Sequence, residues 1–482
     1  MRSLRQRRRG RHVGAPLTAI SRYPPPEVAV INITFPPRFL ARLFRSPDGQ
    51  DEMLAGPIRG ELLGSEHLAA RVRDAARAQR LTKARRPRTT PRLLARLDDT
   101  RHILDDAHAR LMTVADDVDI SPAGEWLLDN YHVVQEQMRE VRTTLPRGYY
   151  RELPELASGP LAGYPRVYEL AILLISHSEG RLDAENIALV LGAFQEATPL
   201  AIGELWAIPA MLRLGLLESV RRMALRTVQR LDEIGGADAW VARILAADEE
   251  RPEALREVLG EFVAEPPVLS AVFISRLLRQ LRASRGAFPP LARLEAWIGD
   301  HGLPAEEADA QATQRLALTQ LMMANSITSM RAIAQINWRD LVEQQSVMDA
   351  VLRGDPSGDY PRMTFATRDW YRHEVERIAK RTRLREEVVA AHAIALAEQA
   401  ESGAADDCRR HVGYYLVDHG WRHLVERTGY RAGPREALHR WVCRHPTAVF
   451  ASGLVAAACA AVAAVLWLAE PAAHPTGPCS SC

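Results

Sequence analysis

Cysteine is nearly absent from this sequence of 482 residues. All five cysteines lie after residue 407, namely Cys408, Cys443, Cys459, Cys479 and Cys482. A disulfide framework is therefore excluded for the preceding part of the chain, and this usage fits a reducing compartment. Cys479 and Cys482 form a single CxxC pair, which lacks the second ligand pair of a structural zinc site, so we assign it no metal.

Lysine is also scarce: Lys83 and Lys380 are the only two, so arginine supplies nearly all of the positive charge. The 62 basic and 60 acidic residues give a formal net charge of +2, and this balance indicates no nucleic-acid partner. Six of the arginines lie within the first eleven residues, but no apolar core of a secretory signal follows them. We interpret residues 1–56 as a basic, proline-rich, flexible lead-in.

Sequence signatures of catalysis are missing too, because the chain has no GxxxxGK[ST], HExxH or GxSxG pattern and no GxGxxG after a strand. Asp117 and Asp119 form an Asp-x-Asp pair of a kind that can hold a divalent metal against a diphosphate. No βαβ unit precedes this pair, and we interpret it as loop and capping residues. His419 and His423 are four residues apart on a predicted helix and need a third ligand to hold a metal. We predict no catalytic residue and no metal site in this chain.

Amphipathic helical patterns fill most of the sequence instead. One predicted helix, at 122–145, places apolar residues on one face at alternating spacings of four and three, namely Leu127, Tyr131, Val134, Met138, Val141 and Leu145. No alternating strand pattern with hairpin turns is present. The sequence predicts an all-α fold: a multi-helix bundle with subdomains at 57–235 and 236–434.

Capping residues and prolines predict several helix ends. Asp183 is a predicted N-cap. Thr198 and Pro199 predict the cap and first position of a long helix that runs to about Asp232, followed by another helix from about residue 237. A further helix is predicted at 407–427.

One long hydrophobic run, at 447–469, contains no charge. As a helix it measures about 34 Å, enough for a hydrocarbon core of about 30 Å, and the alternative is a buried helix of a soluble protein. The run follows Arg435, Arg440 and Arg444, and Glu470 comes after it. The positive-inside rule then predicts that the large N-terminal part is cytoplasmic, with a disordered tail at 470–482.

Clusters of tyrosine, tryptophan and arginine mark several predicted helix boundaries, such as LPRGYYRELP at 145–154. These side chains can stack, pair with carboxylates and donate hydrogen bonds. They are therefore suited either to fixing helices together or to recognising a sugar or a phosphate.

The same clusters belong to longer blocks that occur in a fixed order: DNYHVVQEQMREVRTTLPRGYYRELPEL, GYPRVYELA, PLAIGELWAIPAMLRLGLLE, NSITSMRAI, FATRDWYRHEVERIA, HVGYYLVDHG and RHPT. Together they resemble the N-terminal region of the cyclic β-1,2-glucan synthases, over roughly residues 55–455. These are very large enzymes of the bacterial inner membrane. The resemblance implies a UDP-glucose-dependent glucosyltransferase that needs a divalent metal, builds its glucan on the protein itself and closes it into a ring.

In that family the transferase domain follows the first membrane helices. The resemblance therefore predicts a cytoplasmic helical module with the first membrane segment, ending before the transferase domain and not catalytic alone. UDP-glucose and the metal are expected in the transferase domain and no cofactor in this chain. Expected partners are the lipid bilayer, the transferase domain and the growing glucan. The candidates for a surface that meets the last two are Arg147, Tyr149, Tyr150, Glu204, Trp206 and Arg368.

Two other functions remain open from the sequence. One is a membrane-tethered helical adaptor for an unrelated partner. The other is a sugar-binding or hydrolytic helical domain, which would need two carboxylates at glycosidase separation.

Overall fold

The structure, a computed structural model, describes residues 58–82, 91–114, 120–250, 252–285, 289–400, 407–431, 433, 441–442 and 445–469. These residues form helices and no strand, with only two isolated backbone bridges. The predicted all-α fold is confirmed. The lead-in at 1–56, the tail at 470–482, the Asp117 and Asp119 pair and the CxxC pair lie outside the described residues.

Within these residues the α-helices are, in chain order, α1 (Ser65–Ala78), α2 (Arg92–Val114), α3 (Ser121–Asp129), α4 (Tyr131–Thr144), α5 (Arg147–Tyr150), α6 (Arg166–His177), α7 (Ala184–Ala197), α8 (Ile202–Glu250), α9 (Pro252–Ala264), α10 (Ala271–Arg285), α11 (Pro289–His301), α12 (Ala305–Gln335), α13 (Trp338–Gln345), α14 (Val347–Leu352), α15 (Phe365–Thr382), α16 (Glu386–Glu398), α17 (Val412–Val417), α18 (Trp421–Thr428) and α19 (Pro446–Ala469).

The buried apolar side chains form two hydrophobic clusters. The first joins α1–α7, the first half of α8, the second half of α12 and α13–α18. The second is built from the end of α8, from α9–α11 and from the start of α12, and its centre is Phe262, on which Trp240 and Trp297 pack edge-to-face. The long helices α8 and α12 pack against each other and contribute to both clusters. The predicted division of the chain near residue 236 stays a prediction.

The predicted core stripe at 122–145 is buried along its whole length. The single predicted helix is wrong, however, because the chain is interrupted at Asn130, where the backbone leaves helical geometry between α3 and α4. The Asn130 side chain donates to the Trp126 carbonyl oxygen at 2.8 Å. An asparagine amide competes with the helical backbone for such partners, which explains the break.

The ends of the helices near residue 200 also differ from the prediction. Asp183 caps α7 as predicted, since its side chain accepts from the Asn186 backbone N–H at 2.8 Å. Thr198 is instead the C-cap residue that follows α7, and α8 begins later, at Ile202. The predicted end of α8 at Asp232 is wrong as well, because the helix continues to Glu250.

The predicted helix at 407–427 consists of a 3₁₀ turn at Asp407–Arg410 and the two short helices α17 and α18. His419 lies in the turn between α17 and α18 and is exposed, whereas His423 lies on α18. The two histidines therefore do not share a helix face. Among the described residues, no group of three or more His, Cys, Asp or Glu side chains is placed to hold a metal ion.

Helix α19 is apolar and lies apart from the helical body. Residues Pro446–Val465 have a mean hydropathy of 2.3, and no residue of their most apolar stretch is buried within the protein. Phe450 and Leu454 are among its large exposed side chains. A core helix of a soluble protein hides such a surface, so the exposure favours a helix that meets lipid.

Candidate functional site

A cleft of about 580 Å³ lies between the first half of α8, the end of α4, α5 and the residues after it, the start of α13 and the face of α15. Its volume is within the range of about 300–1,000 Å³ that is usual for small-molecule sites. It is lined by Glu140, Thr144, Tyr149, Glu152, Ile202, Gly203, Trp206, Pro209, Ala210, Arg213, Trp338, His373, Glu376 and Lys380. Aromatic and charged side chains thus share one concave surface.

Three aromatic rings form part of the lining. The Tyr149 hydroxyl donates to the Gly203 carbonyl oxygen at 2.5 Å, which ties α5 to the start of α8. Burial first, and then the nearby carboxylates, raise the pKa of Tyr149, so the hydroxyl stays protonated. Trp206 packs edge-to-face on Phe365, with ring centroids 6.4 Å apart. The Trp338 indole N–H donates to the Ile333 carbonyl oxygen at 3.0 Å, and this bond fixes the ring.

The charged side of the cleft is organised around Lys380. Its Nζ lies 2.6 Å from Glu152 Oε2 and 2.8 Å from Glu376 Oε1. Burial alone would lower the pKa of Lys380, but the bonds to the two carboxylates outweigh it, and the pKa is raised. This cation therefore holds two carboxylates at the opening.

Arg213 is the most buried cation of the lining, with 6% of its surface exposed. Its Nε donates to Gln137 Oε1 at 2.8 Å, and no described residue accepts from its two terminal nitrogens. Burial lowers the pKa of Arg213, while the Glu140 carboxylate acts in the opposite direction. The cleft therefore contains guanidinium N–H groups without a protein partner.

Carboxylates also satisfy the start of α8, beside the cleft. Glu204 Oε2 accepts from the Ala201 N–H at 3.0 Å, and Glu386 Oε2 accepts from the Ile202 N–H at 2.8 Å. Burial, together with Glu376 and Glu204, raises the pKa of Glu386 to about 7, although the Ile202 N–H and Lys380 act against the shift. The helix start is thus held by two acidic side chains instead of by the predicted Thr198.

The structure places Glu204 in the core. It forms a bidentate ion pair with Arg166, with both N–O distances 2.6 Å. Both side chains are almost completely buried. Arg166 also donates to the Pro199 carbonyl oxygen at 3.1 Å. Glu204 is therefore committed to the packing of α6 against α8 and does not line the cleft.

Arg368 lies in another charged cluster. It binds both carboxylate oxygens of Glu343, and Arg372 bridges Glu343 and Asp349. Burial would raise the pKa of Glu343, but the hydrogen bonds from the two arginines outweigh it and lower the pKa. The hydroxyl of the buried Tyr360 donates to Asp349 at 2.7 Å. This cluster joins α13, α14 and α15.

Of the six residues predicted from the sequence, the structure brings only Tyr149 and Trp206 into the cleft. Tyr150 is buried in the first hydrophobic cluster, and Arg147 is exposed. The function of all six stays a prediction. Sequence reasoning missed Trp338, Arg213 and Lys380, because nothing local to these residues indicates a shared site; only the Tyr-Arg block LPRGYYRELP and the GELWAIP block pointed to one part of the lining.

Over the described residues, the fold and the cleft define a class: an all-α protein with an exposed apolar helix and a mixed aromatic and charged cleft. No protein-family model matches the chain. Over 316 residues, or 64% of its length, the chain is 35% identical to the cyclic beta-(1,2)-glucan synthase NdvB of Rhizobium meliloti (strain 1021). The chain spans 11% of the length of that relative. The resemblance to the cyclic β-1,2-glucan synthases is therefore confirmed.

Proposed function

We propose that this chain is the cytoplasmic helical module of a membrane-bound glucan synthase and that it holds the glycosyltransferase domain in place. The observation that carries the proposal is the 35% identity over 316 residues to a cyclic glucan synthase. UDP-glucose and a divalent metal bind to the transferase domain, and the helical module contributes no catalytic residue.

Helix α19 anchors the module in the bacterial inner membrane. Its exposed apolar surface supports this role, and so does the order of charges along the sequence. Arg435, Arg440 and Arg444 precede the helix and residues 470–482 contain no arginine, so the positive-inside rule favours a cytoplasmic helical body.

A reconstitution experiment tests the scaffold role. A related glucan synthase that lacks the region matching this chain is expressed with and without the chain, and conversion of UDP-glucose into glucan is measured in membranes. We expect glucan only in the combined sample and none from the chain alone. Conversion by the purified chain alone, or no restoration in the combined sample, refutes the proposal.

Two single-cysteine variants test the orientation. One keeps the exposed Cys408 of the body, and the other keeps Cys479 beyond α19, with all remaining cysteines replaced by serine. A membrane-impermeant maleimide should label Cys408 only in inverted vesicles and Cys479 only in right-side-out vesicles. The opposite pattern, or labelling of both residues in one preparation, contradicts the topology.

A further inference from the structure

We propose that the cleft lined by Tyr149, Trp206, Trp338, Arg213 and Lys380 binds a neutral glucan chain. The aromatic part of the lining supplies the first reason. Trp206 and Trp338 come from α8 and α13, while Tyr149 lies on α5. Flat aromatic rings suit the apolar faces of pyranose rings, and each carries a polar atom at its edge.

Hydrogen-bonding groups without a protein partner are the second reason. The terminal nitrogens of Arg213 have no acceptor among the described residues although the side chain is 94% buried, since 6% of its surface is exposed. The Trp206 indole N–H also has no acceptor among them. Neither group belongs to the buried unpartnered atoms, so both donors reach the solvent of the cleft, and sugar hydroxyl groups can accept from both.

The charges of the lining decide between a neutral sugar and a phosphorylated one. Three carboxylates, from Glu140, Glu152 and Glu376, outnumber the two cations Arg213 and Lys380. Lys380 is already bound to two of these carboxylates. A nucleotide diphosphate would meet a net negative surface, whereas a neutral glucan meets acceptors for its hydroxyl groups. The charge therefore selects the uncharged product over the nucleotide-sugar donor.

The choice of a β-1,2-linked glucan as the ligand rests on the proposed function, whereas neutrality and aromatic packing come from the cleft itself. In that role the cleft holds a segment of the growing glucan. Binding in the cleft keeps the glucan close to the enzyme between additions of glucose units.

Calorimetric titration of the full chain in detergent with short linear β-1,2-glucan tests the inference, with UDP as the anionic probe. We expect saturable binding of the glucan and none of UDP. Trp206→Ala should raise the Kd for the glucan about 10-fold or more, and Arg213→Lys, which loses the planar guanidinium group, should have a similar effect. Trp370→Ala is the matched control, because Trp370 is exposed on α15 and does not line the cleft. It should leave the Kd unchanged.

Circular dichroism and the urea midpoint verify that each variant folds. Should Trp206→Ala not fold, Trp206→Phe keeps a ring but removes the N–H, and it should weaken binding by a smaller factor. Absence of glucan binding, tighter binding of UDP, or an unchanged Kd in the folded Trp206 and Arg213 variants overturns the inference.

The outcomes also separate this inference from the scaffold role. A chain that restores synthesis but binds no glucan contradicts only the cleft assignment. A chain that binds glucan through Trp206 but restores no synthesis contradicts only the proposed function.

Discussion

The buried ion pair between Arg166 and Glu204 gives a sharp prediction about stability. We consider Glu204→Gln, which keeps the size of the side chain but removes its charge. Arg166 then remains buried, with 5% of its surface exposed and without a counter-ion. Removing one partner of a buried, hydrogen-bonded pair costs about 3–5 kcal/mol, because the remaining charge is uncompensated. Glu204 also accepts from the Ala201 N–H at the start of α8, so the loss should fall at the upper end of this range.

The assay is urea unfolding of the full chain in detergent, followed by tryptophan fluorescence and far-ultraviolet circular dichroism. The matched control is Glu196→Gln, because Glu196 is exposed and forms a single bond of 3.0 Å to Arg73. Exposed pairs contribute about 0–1 kcal/mol, so the control should unfold close to the wild type. The double variant Glu204→Gln/Arg166→Met has no unpaired buried charge. Its loss of unfolding free energy should therefore be smaller than the sum of the losses of the two single variants by about 1–3 kcal/mol. If Glu204→Gln shifts the free energy of unfolding no more than the control does, the reasoning is refuted.

Two further predictions concern pH and packing. Because burial raises the pKa of Glu386 to about 7, its folded form binds a proton more tightly than the unfolded chain, and this contribution to stability should be lost between about pH 4.5 and 7. Between pH 5 and pH 8, the free energy of unfolding of Glu386→Gln, measured by urea titration, should therefore rise by up to about 3 kcal/mol relative to that of the wild type. A difference between the two proteins that does not change with pH would contradict the raised pKa. Gly215→Ala should destabilise by about 1–3 kcal/mol, because its Cβ would lie 2.5 Å from Ile175 Cδ1 in the core. On the same helix, the Cβ of Gly235→Ala would meet open space, so this variant should raise the free energy of unfolding by up to about 1 kcal/mol in the same assay. Equal destabilisation by both variants would argue against a close contact at Gly215.

Local patterns predicted those parts of the fold that local interactions determine. The apolar spacing from Leu127 to Leu145 identified a buried face, and the capping role of Asp183 followed from its position before an apolar helix. The start of α8 could not be predicted in this way. Its N–H group at Ile202 is satisfied by Glu386, which is 184 positions away in the sequence, so the signal exists only after folding.

The end of α8 could not be predicted from the local sequence either. Gly235 and Gly236, which lower helix propensity, lie between the two helices predicted from the sequence, yet one helix continues through both. Beyond them, Ala237, Val241 and Ile244 are buried in the second hydrophobic cluster, and this packing outweighs the local preference. Tertiary packing therefore determined where α8 ends, because local helix propensity is weak at these glycines.

In the candidate site, only Tyr149 and Trp206 were predictable from the sequence. Tyr149 and Trp206 lie in conspicuous aromatic and arginine blocks at helix boundaries. Arg213 lies in the largely buried first half of α8 and Trp338 is the first residue of α13, and only the packing of α8 beside α13 brings them to one surface.

The length of α8 has a mechanical consequence. Its 49 residues form a helix of about 73 Å, which starts at the cleft and ends in the second hydrophobic cluster. The residues of α8 that line the cleft and those buried in the second hydrophobic cluster therefore belong to one continuous helix. A change in the direction of its first turns has to be taken up either by bending at Pro209 or by repacking of the second cluster.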